Sequence, residues 1–424
     1  MLEALANAFR VPDLRKKILF TIGIIALYRL GAHIPVPGVS QAMITALTSA
    51  TQNSSALGLL NLFSGGALQT FAVFSLGIMP YITSSIIMQL LQAVIPKFEA
   101  WSKEGETGQR KLTQITRYMT LGLGFVESIG LIATFEGQLK QAGALPGGAF
   151  DWLTRILILL SLMAGTAFIM WMGELITQRG IGNGMSLLIF ASIVARFPVT
   201  LWQAVQLNQW YVALAIIIVA FFMIMAIVAM ERGQRRIPVQ YAKRVVGRKV
   251  FGGVGTYIPL KVNSANVIPI IFASSILYFP LVIAQFSGNA LAVQFANYLS
   301  KGWLHWTLTG ILIVFFAYFY TALVFNPIDL ADNLRKQGGF IPGVRPGKAT
   351  STYIENVLNR ITLPGALFLG LIAIIPGLLF EQTQIPLLQQ FGGTSILIMV
   401  GVALETMTQL ESQLKMRHYD GFFK

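Results

Sequence analysis

Long apolar runs, bounded by charged or turn-forming residues, dominate the hydrophobic pattern of this chain. A helix needs roughly 17–25 apolar residues to cross the hydrocarbon core of a bilayer. The runs are continuous rather than alternating, which favours helices over a β-barrel. They predict spans at about 18–36, 73–95, 115–136, 152–177, 185–200, 210–230, 267–286, 304–325, 361–380 and 394–411. The fifth of these is short and ends at Arg196, Phe197 and Pro198.

Composition supports a membrane protein. Hydrophobic residues make up 55% of the chain and charged residues only 11%, whereas about 25% of residues are charged in a typical soluble domain. The apolar stretch 56–72 is rich in glycine and too short to span a bilayer. Such a segment is expected to be re-entrant or half-buried.

Charge predicts the orientation. The net charge is +14, and most lysines and arginines fall before the first span, on alternate connections and in the tail. The positive-inside rule places these segments, and therefore both termini, in the cytoplasm. The basic residues elsewhere are Arg29, Lys140, Arg155, Arg196 and Lys301. Arg29 and Arg155 lie near span ends, so we expect them to extend toward the interface.

The second and seventh predicted spans share a pattern. Ile78-Met-Pro80 precedes a Ser pair at 84–85, and Ile268-Pro269 precedes one at 274–275. The pattern predicts a proline-interrupted helix at the same position in two five-span halves, 1–200 and 201–424. Five spans is an odd number, so the halves would be inverted around a central pathway. Two unrelated proline-kinked helices remain the alternative.

The sequence shows no catalytic constellation. Cysteine is absent, only three histidines occur, and the few ionisable residues within the spans include Arg29, Glu127, Arg155 and Glu405. Glu127 would face either a water-filled interior or a partner. There is no phosphate-binding loop of the usual spacing, so we expect neither an enzyme nor a bound cofactor or metal.

Two cytoplasmic loops, 231–266 and 326–360, are longer than a simple connection requires. The first is basic, and glycines between β-prone residues over 245–260 predict a hairpin. We favour docking of an acidic or nucleic-acid partner over a merely solvated face.

Short motifs along nearly the whole chain resemble one family, SecY, the pore subunit of the bacterial Sec translocon. These motifs are 61–68, 76–82, 103–110, 180–184, 231–237, 241–244, 259–263, 320–327, 331–334, 342–347 and 391–395. The resemblance implies an all-α polytopic protein with ten helices in two inverted halves around a central pore. It also implies a channel that passes unfolded secretory polypeptides across the bacterial plasma membrane and releases hydrophobic segments sideways into lipid.

The resemblance implies site residues as well. The constriction would be an apolar ring of Ile78, Ile82, Met185, Ile189, Ile271 and Ile398, in which Met185 replaces an expected isoleucine. The segment 58–70 would be the plug, with Asn61, Phe63 and Gly65 at its centre. The lateral gate would carry Thr83, Ser84, Gln89, Glu127 and Ser274 as weak seals, with Glu127 in place of an expected neutral residue.

The same resemblance implies partners. These are the SecE and SecG subunits, the SecA motor ATPase, the ribosome, signal sequences and the lipid bilayer. Arg248 and Lys249 would contact the ribosome, and Arg345 matches a position tied to motor-driven export. The alternative is an inverted-repeat secondary transporter of a small solute. A transporter should place polar ligands on interrupted helices near the midplane, where this sequence has isoleucine.

Overall fold

The fold is known from a computed structural model. It describes residues 9, 11–40, 43–45, 61, 64–141, 150–206, 210–241, 244–246, 249–251, 255–287, 290–299, 302–383 and 392–420. The described part is mainly helical. The first six main helices are α1 Pro12–Gly31, α2 Met79–Val94, α3 Pro96–Lys103, α4 Glu106–Gln141, α5 Trp152–Arg179 and α6 Gly184–Gln206. The next are α7 Trp210–Arg232, α8 Ile268–Ser287, α9 Ala290–Leu299, α10 Gly302–Val324, α11 Pro327–Lys336, α12 Lys348–Thr383 and α13 Gly393–Asp420.

Each predicted span overlaps one of these helices. Within the described residues, five helical stretches are long and apolar enough to cross a membrane by themselves, and a sixth is added if α2 and α3 count as one span. The five are Glu106–Gly137, Trp152–Arg179, Gly302–Lys336, Lys348–Leu379 and Gly393–Met416. The axes of α2 and α3 differ by 100°. The protein is therefore a helical membrane protein, and the count of ten spans remains a prediction.

The two repeated prolines do not interrupt helices, so that expectation was wrong. Pro80 lies in the first turn of α2, and Pro269 is the second residue of α8. Proline suits this position because the first helical N–H groups lack an intrahelical partner and its fixed φ already fits the helix. In contrast, α6 continues through Pro198 to Gln206 instead of ending there.

Helices α1–α6 and helices α7–α13 form two groups that meet along the middle. In the first group, α4 packs on α2 and α5, while α1 packs on α5 and α6. In the second, α10 packs on α8 and α12, while α13 packs on α7 and α12. The groups meet where α8 contacts α2 and α4, and where α6 contacts α7 and α13.

A small β-structure lies between α7 and α8. Strands β1 Gln234–Tyr241 and β4 Thr256–Lys261 pair antiparallel, with Gln234 opposite Lys261. Strand β5 Gly339–Phe340 adds to the other edge of β1, which joins the two long loops. Strands β2 Arg244–Val246 and β3 Lys249–Phe251 form a separate antiparallel pair, which confirms the predicted hairpin.

Candidate pore and lateral gate

The six predicted ring residues all belong to the main hydrophobic core of the described residues, which also contains many other apolar side chains from both helix groups. Ile78 caps α2, and Ile82 follows one turn later. Met185 and Ile189 come from the start of α6, Ile271 from the start of α8, and Ile398 from α13. All six are less than 9% exposed. Both helix groups thus contribute buried apolar side chains to the same hydrophobic core.

Met185 has a specific neighbour in α5. Its thioether occupies the space where a side chain at Gly173 would begin. Only glycine at 173 leaves room for this packing. The unbranched methionine follows the local shape, which accounts physically for a residue other than isoleucine at this position.

Residues 64–70 of the predicted plug form turns, which continue to residue 78 except at Ala72, where a β-bridge pairs with Pro35. Gly65 and Gly66 have φ of +65° and +96°, a conformation that side chains disfavour. The Asn61 carbonyl accepts hydrogen bonds from the Gly66 N–H and the Ser64 hydroxyl. Asn61 and Ser64 are buried. Phe63 and residues 58–60 lie outside the described residues.

The residues after this segment form hydrogen bonds with the residues after α1. The Val36 N–H donates to the Phe71 carbonyl and the Val73 N–H to the Ile34 carbonyl, each at 2.9 Å. The Phe71 ring packs edge-on against Phe135 of α4, with centroids 4.8 Å apart. Residues 71–73 are therefore held firmly beside the turns that precede them.

The hydroxyl groups predicted for the lateral gate bond within their own helices. Thr83 donates to the Met79 carbonyl at 3.0 Å and Ser84 to the Pro80 carbonyl at 2.7 Å. Ser274 donates to the Ile271 carbonyl at 3.0 Å. Backbone acceptors therefore satisfy these donors locally, and none of these three bonds crosses between helices.

On the helices predicted to carry the gate, three side chains each bury an oxygen that finds no hydrogen-bond partner among the described residues. They are Gln89 Oε1 on α2, Glu127 Oε2 on α4 and Ser275 Oγ on α8, and Ser395 Oγ on α13 is a fourth such oxygen. The three helices pack on one another. Ser275 was not among the predicted gate residues, although it is the second member of the repeated Ser pair. An unpaired buried polar atom costs about 1–3 kcal/mol, so this contact between the helix groups is not optimal.

The contact between α4 and α5 has the opposite character. Arg117 Nε and Nη2 donate to the two carboxylate oxygens of Glu174 at 2.7 and 2.6 Å. Farther along the same pair, Arg155 Nε and Nη2 bond Glu136 at 2.6 and 3.0 Å. The sequence did not predict that Glu136, 19 residues earlier, holds Arg155 in a two-point ion pair. Sequence spacing alone does not reveal such a pair between separate spans.

Arg29 was also expected to extend to the interface, but its Nη1 donates to the Gly65 carbonyl at 2.9 Å. In the cytoplasmic loops, Arg345 is exposed, and its carbonyl accepts from the Thr350 hydroxyl at 2.9 Å. Lys249 lies in β3 and Arg248 lies outside the described residues. Asn263 Nδ2 donates to Glu231 Oε1 at 2.6 Å, which joins the end of α7 to the segment before α8.

These features define a class: a polytopic helical membrane protein in which two helix groups share an apolar core that also includes side chains of the turns between α1 and α2. The sequence profile of SecY matches residues 72–407. The Protein translocase subunit SecY of Streptomyces scabiei is 50% identical, with all of both chains covered. The chain belongs to the SecY family, so the channel hypothesis is confirmed over the solute transporter.

Solved structures share this fold. One of them was described as showing that the plug domain of the SecY protein stabilises the closed state of the translocation channel. Its TM-score to this chain is 0.66, at 21% sequence identity. Another, Sec61 in a canine ribosome–channel complex, has a TM-score of 0.61 at 18% identity. Each comparison covers 96% of both chains.

Proposed function

We propose that this chain forms a protein-conducting channel of a bacterial plasma membrane, with the six clustered apolar side chains as its seal. The observation that carries the proposal is that four helices, two from each group, contribute these side chains to one buried cluster. A narrow apolar constriction dewets when empty and blocks ions. It also lacks fixed hydrogen bonds, so a polypeptide of any sequence can pass without being held.

Ten spans in two inverted halves, 1–200 and 201–424, with both termini cytoplasmic, complete the proposal. The ring would be Ile78, Ile82, Met185, Ile189, Ile271 and Ile398, and the plug 58–70 around Asn61, Phe63 and Gly65. Gln89, Glu127 and the hydroxyls of Thr83, Ser84 and Ser274 would line the lateral gate between α2 and α4 on one side and α8 and α10 on the other. Signal sequences would enter lipid between these helices.

Hydration of the ring tests the seal. The double change Ile82→Asn and Ile271→Asn should raise ion leak through the resting channel and relax signal-sequence selectivity, because amide side chains stabilise water in the constriction. Conductance of reconstituted channels and export of a preprotein with a defective signal measure the two effects. Ile217→Asn and Leu367→Asn are exposed controls. Unchanged leak and selectivity in the ring variant would reject the assignment.

The partners we propose are SecE and SecG, the SecA motor and the ribosome, the last two docking on the basic loops at Arg248, Lys249 and Arg345. The exposure of Arg345 and the join of the two loops through β1 and β5 support a single docking face. Arg345→Glu should impair motor-dependent export more than ribosome-coupled insertion. Equal effects in matched export and insertion assays would argue for a purely structural loop.

A further inference from the structure

Two arginines away from the main basic segments donate hydrogen bonds to described residues of the segment between α1 and α2. Arg29 is in the last turn of α1, and Arg196 is in the second half of α6. Neither belongs to the face that the positive-inside rule predicts for basic residues. Arg155, which breaks the same rule, is paired with Glu136. Arg29 and Arg196 instead make their described contacts with uncharged groups of one short segment.

Arg29 holds the middle of this segment. Its Nη1 donates to the Gly65 carbonyl at 2.9 Å. A Cβ at residue 65 would lie 2.9 Å from the same nitrogen and 3.1 Å from Ser192. Only glycine therefore allows the carbonyl to approach, in a backbone conformation with φ of +65°. The Tyr28 and Ser192 hydroxyls, 2.6 Å apart, join α1 and α6 directly behind this contact.

Arg196 holds both ends of the segment. Its Nη2 donates to Gln69 Oε1 at 3.1 Å. With its amide turned so that the oxygen faces the guanidinium, Asn61 accepts from Arg196 Nη1 at 2.8 Å. One planar group with several donors thus bonds two side chains eight positions apart in sequence, which also bond each other, with Gln69 Nε2 donating to Asn61 at 3.0 Å. A guanidinium has the fixed, forked geometry for such bridging, whereas an ammonium is a single point.

We propose that Arg29 and Arg196 are positioning residues that latch the plug in the resting channel. Charged donors bonding to neutral acceptors make stronger hydrogen bonds than neutral pairs, which favours the seated segment. The guanidiniums regain water when the segment leaves, so the latch remains releasable. This inference rests on the proposed function, in which 58–70 is the plug.

The absence of cysteine in this chain makes the latch directly measurable. Ser64 is fully buried beside the latch, so a single Ser64→Cys reports whether the segment is seated. We expect slow labelling by a membrane-impermeant maleimide in spheroplasts with otherwise unchanged protein. Arg29→Gln or Arg196→Gln should speed labelling several-fold without loss of the protein from the membrane. Leu68→Cys, also fully buried, provides a second reporter should Ser64→Cys disturb the turn.

Lysine substitutions separate a latch from a general structural role. Arg29→Lys should keep labelling slow, because one carbonyl needs one donor. Arg196→Lys should speed labelling, because a single ammonium cannot bond Asn61 and Gln69 together as the guanidinium does. Arg155→Gln, which breaks an ion pair away from the segment, is the matched control and should leave labelling unchanged. Equal labelling in all variants, or equal acceleration by Arg155→Gln, would overturn the latch.

Resting ion conductance of the same channels distinguishes failure of the latch from failure of the proposed function. Deleting residues 61–66 should raise conductance if the segment is a plug. A rise on deletion with unchanged labelling in the arginine variants would reject the latch and keep the plug. Faster labelling in the arginine variants, with no rise on deletion, would keep the contacts but reject the plug function on which the proposal rests.

Discussion

Helix α4 meets its neighbours in two unlike ways. Against α5, two bidentate ion pairs fix the helices at separate points, Arg117 with Glu174 and Arg155 with Glu136. At its junction with α2 and α8, three buried oxygens have no partner among the described residues. Two-point ion pairs resist sliding and rotation, whereas orphaned polar atoms raise the free energy of the closed contact. We therefore expect α4 and α5 to move together and, under the proposed function, the channel to part between these helices and α8.

The largest effect is expected from a covalent cross-link between the two helix groups. Joining Ser85→Cys in α2 to Ser275→Cys in α8 with a short bis-maleimide should abolish translocation, because the two helix groups can no longer separate. The matched pair, Gly124→Cys with Thr166→Cys, joins α4 to α5, where a Cβ at 124 would lie 3.5 Å from Thr166. Export of a preprotein measures both. Full export with the first pair joined, or equal loss with both, would remove the distinction.

A smaller effect is expected at Glu127, whose buried Oε2 has no hydrogen-bond partner among the described residues. Glu127→Leu removes a buried oxygen that has no partner and should stabilise the closed gate by about 1–3 kcal/mol. Export through a weakly hydrophobic signal should then fall about tenfold or more, while a strongly hydrophobic signal is little affected. Glu127→Gln keeps a polar group in the same place and serves as the control. The same loss with Leu and Gln would mean that the carboxylate, not the orphaned atom, sets the threshold.

The smallest effect concerns the fixed contact. Arg117→Gln should lower the free energy of unfolding by about 0.5–1 kcal/mol, a modest value because Arg117 is 43% exposed and water screens the pair. Thermal unfolding in detergent measures it. The exchange of both charges, Arg117→Glu with Glu174→Arg, should recover most of the loss. Lack of recovery would show that packing, rather than the ion pair, holds α4 to α5.

Sequence reasoning was most successful where one residue type repeats along the chain. Apolar runs placed a helix at every predicted span, and the glycine-punctuated stretch near 245–260 gave the β2–β3 pair. It was wrong where position within a helix matters: Pro80 and Pro269 begin helices, because proline is costly inside a helix but free in its first turn.

Contacts between residues far apart in sequence were the hardest features to predict from the sequence. Nothing in the spacing links Glu136 to Arg155 or Arg196 to Asn61, since these pairs exist only after separate spans pack. The apolar ring was predicted through the family resemblance and stays a prediction, since its six members share the main core cluster with many other apolar residues. Hydrophobicity alone would not have singled them out from the many isoleucines that face lipid.

The most direct test of the central claim is contact between a passing polypeptide and the ring. A photoreactive side chain at Ile82 or Ile271, and another at the exposed position Ile217, would be introduced while a secretory chain is stalled midway through export. If the polypeptide passes through the ring, the photoreactive groups at 82 and 271 should cross-link to the stalled chain and the group at 217 should not. Absence of cross-links at the two ring positions, with export otherwise intact, would contradict a path through this cluster.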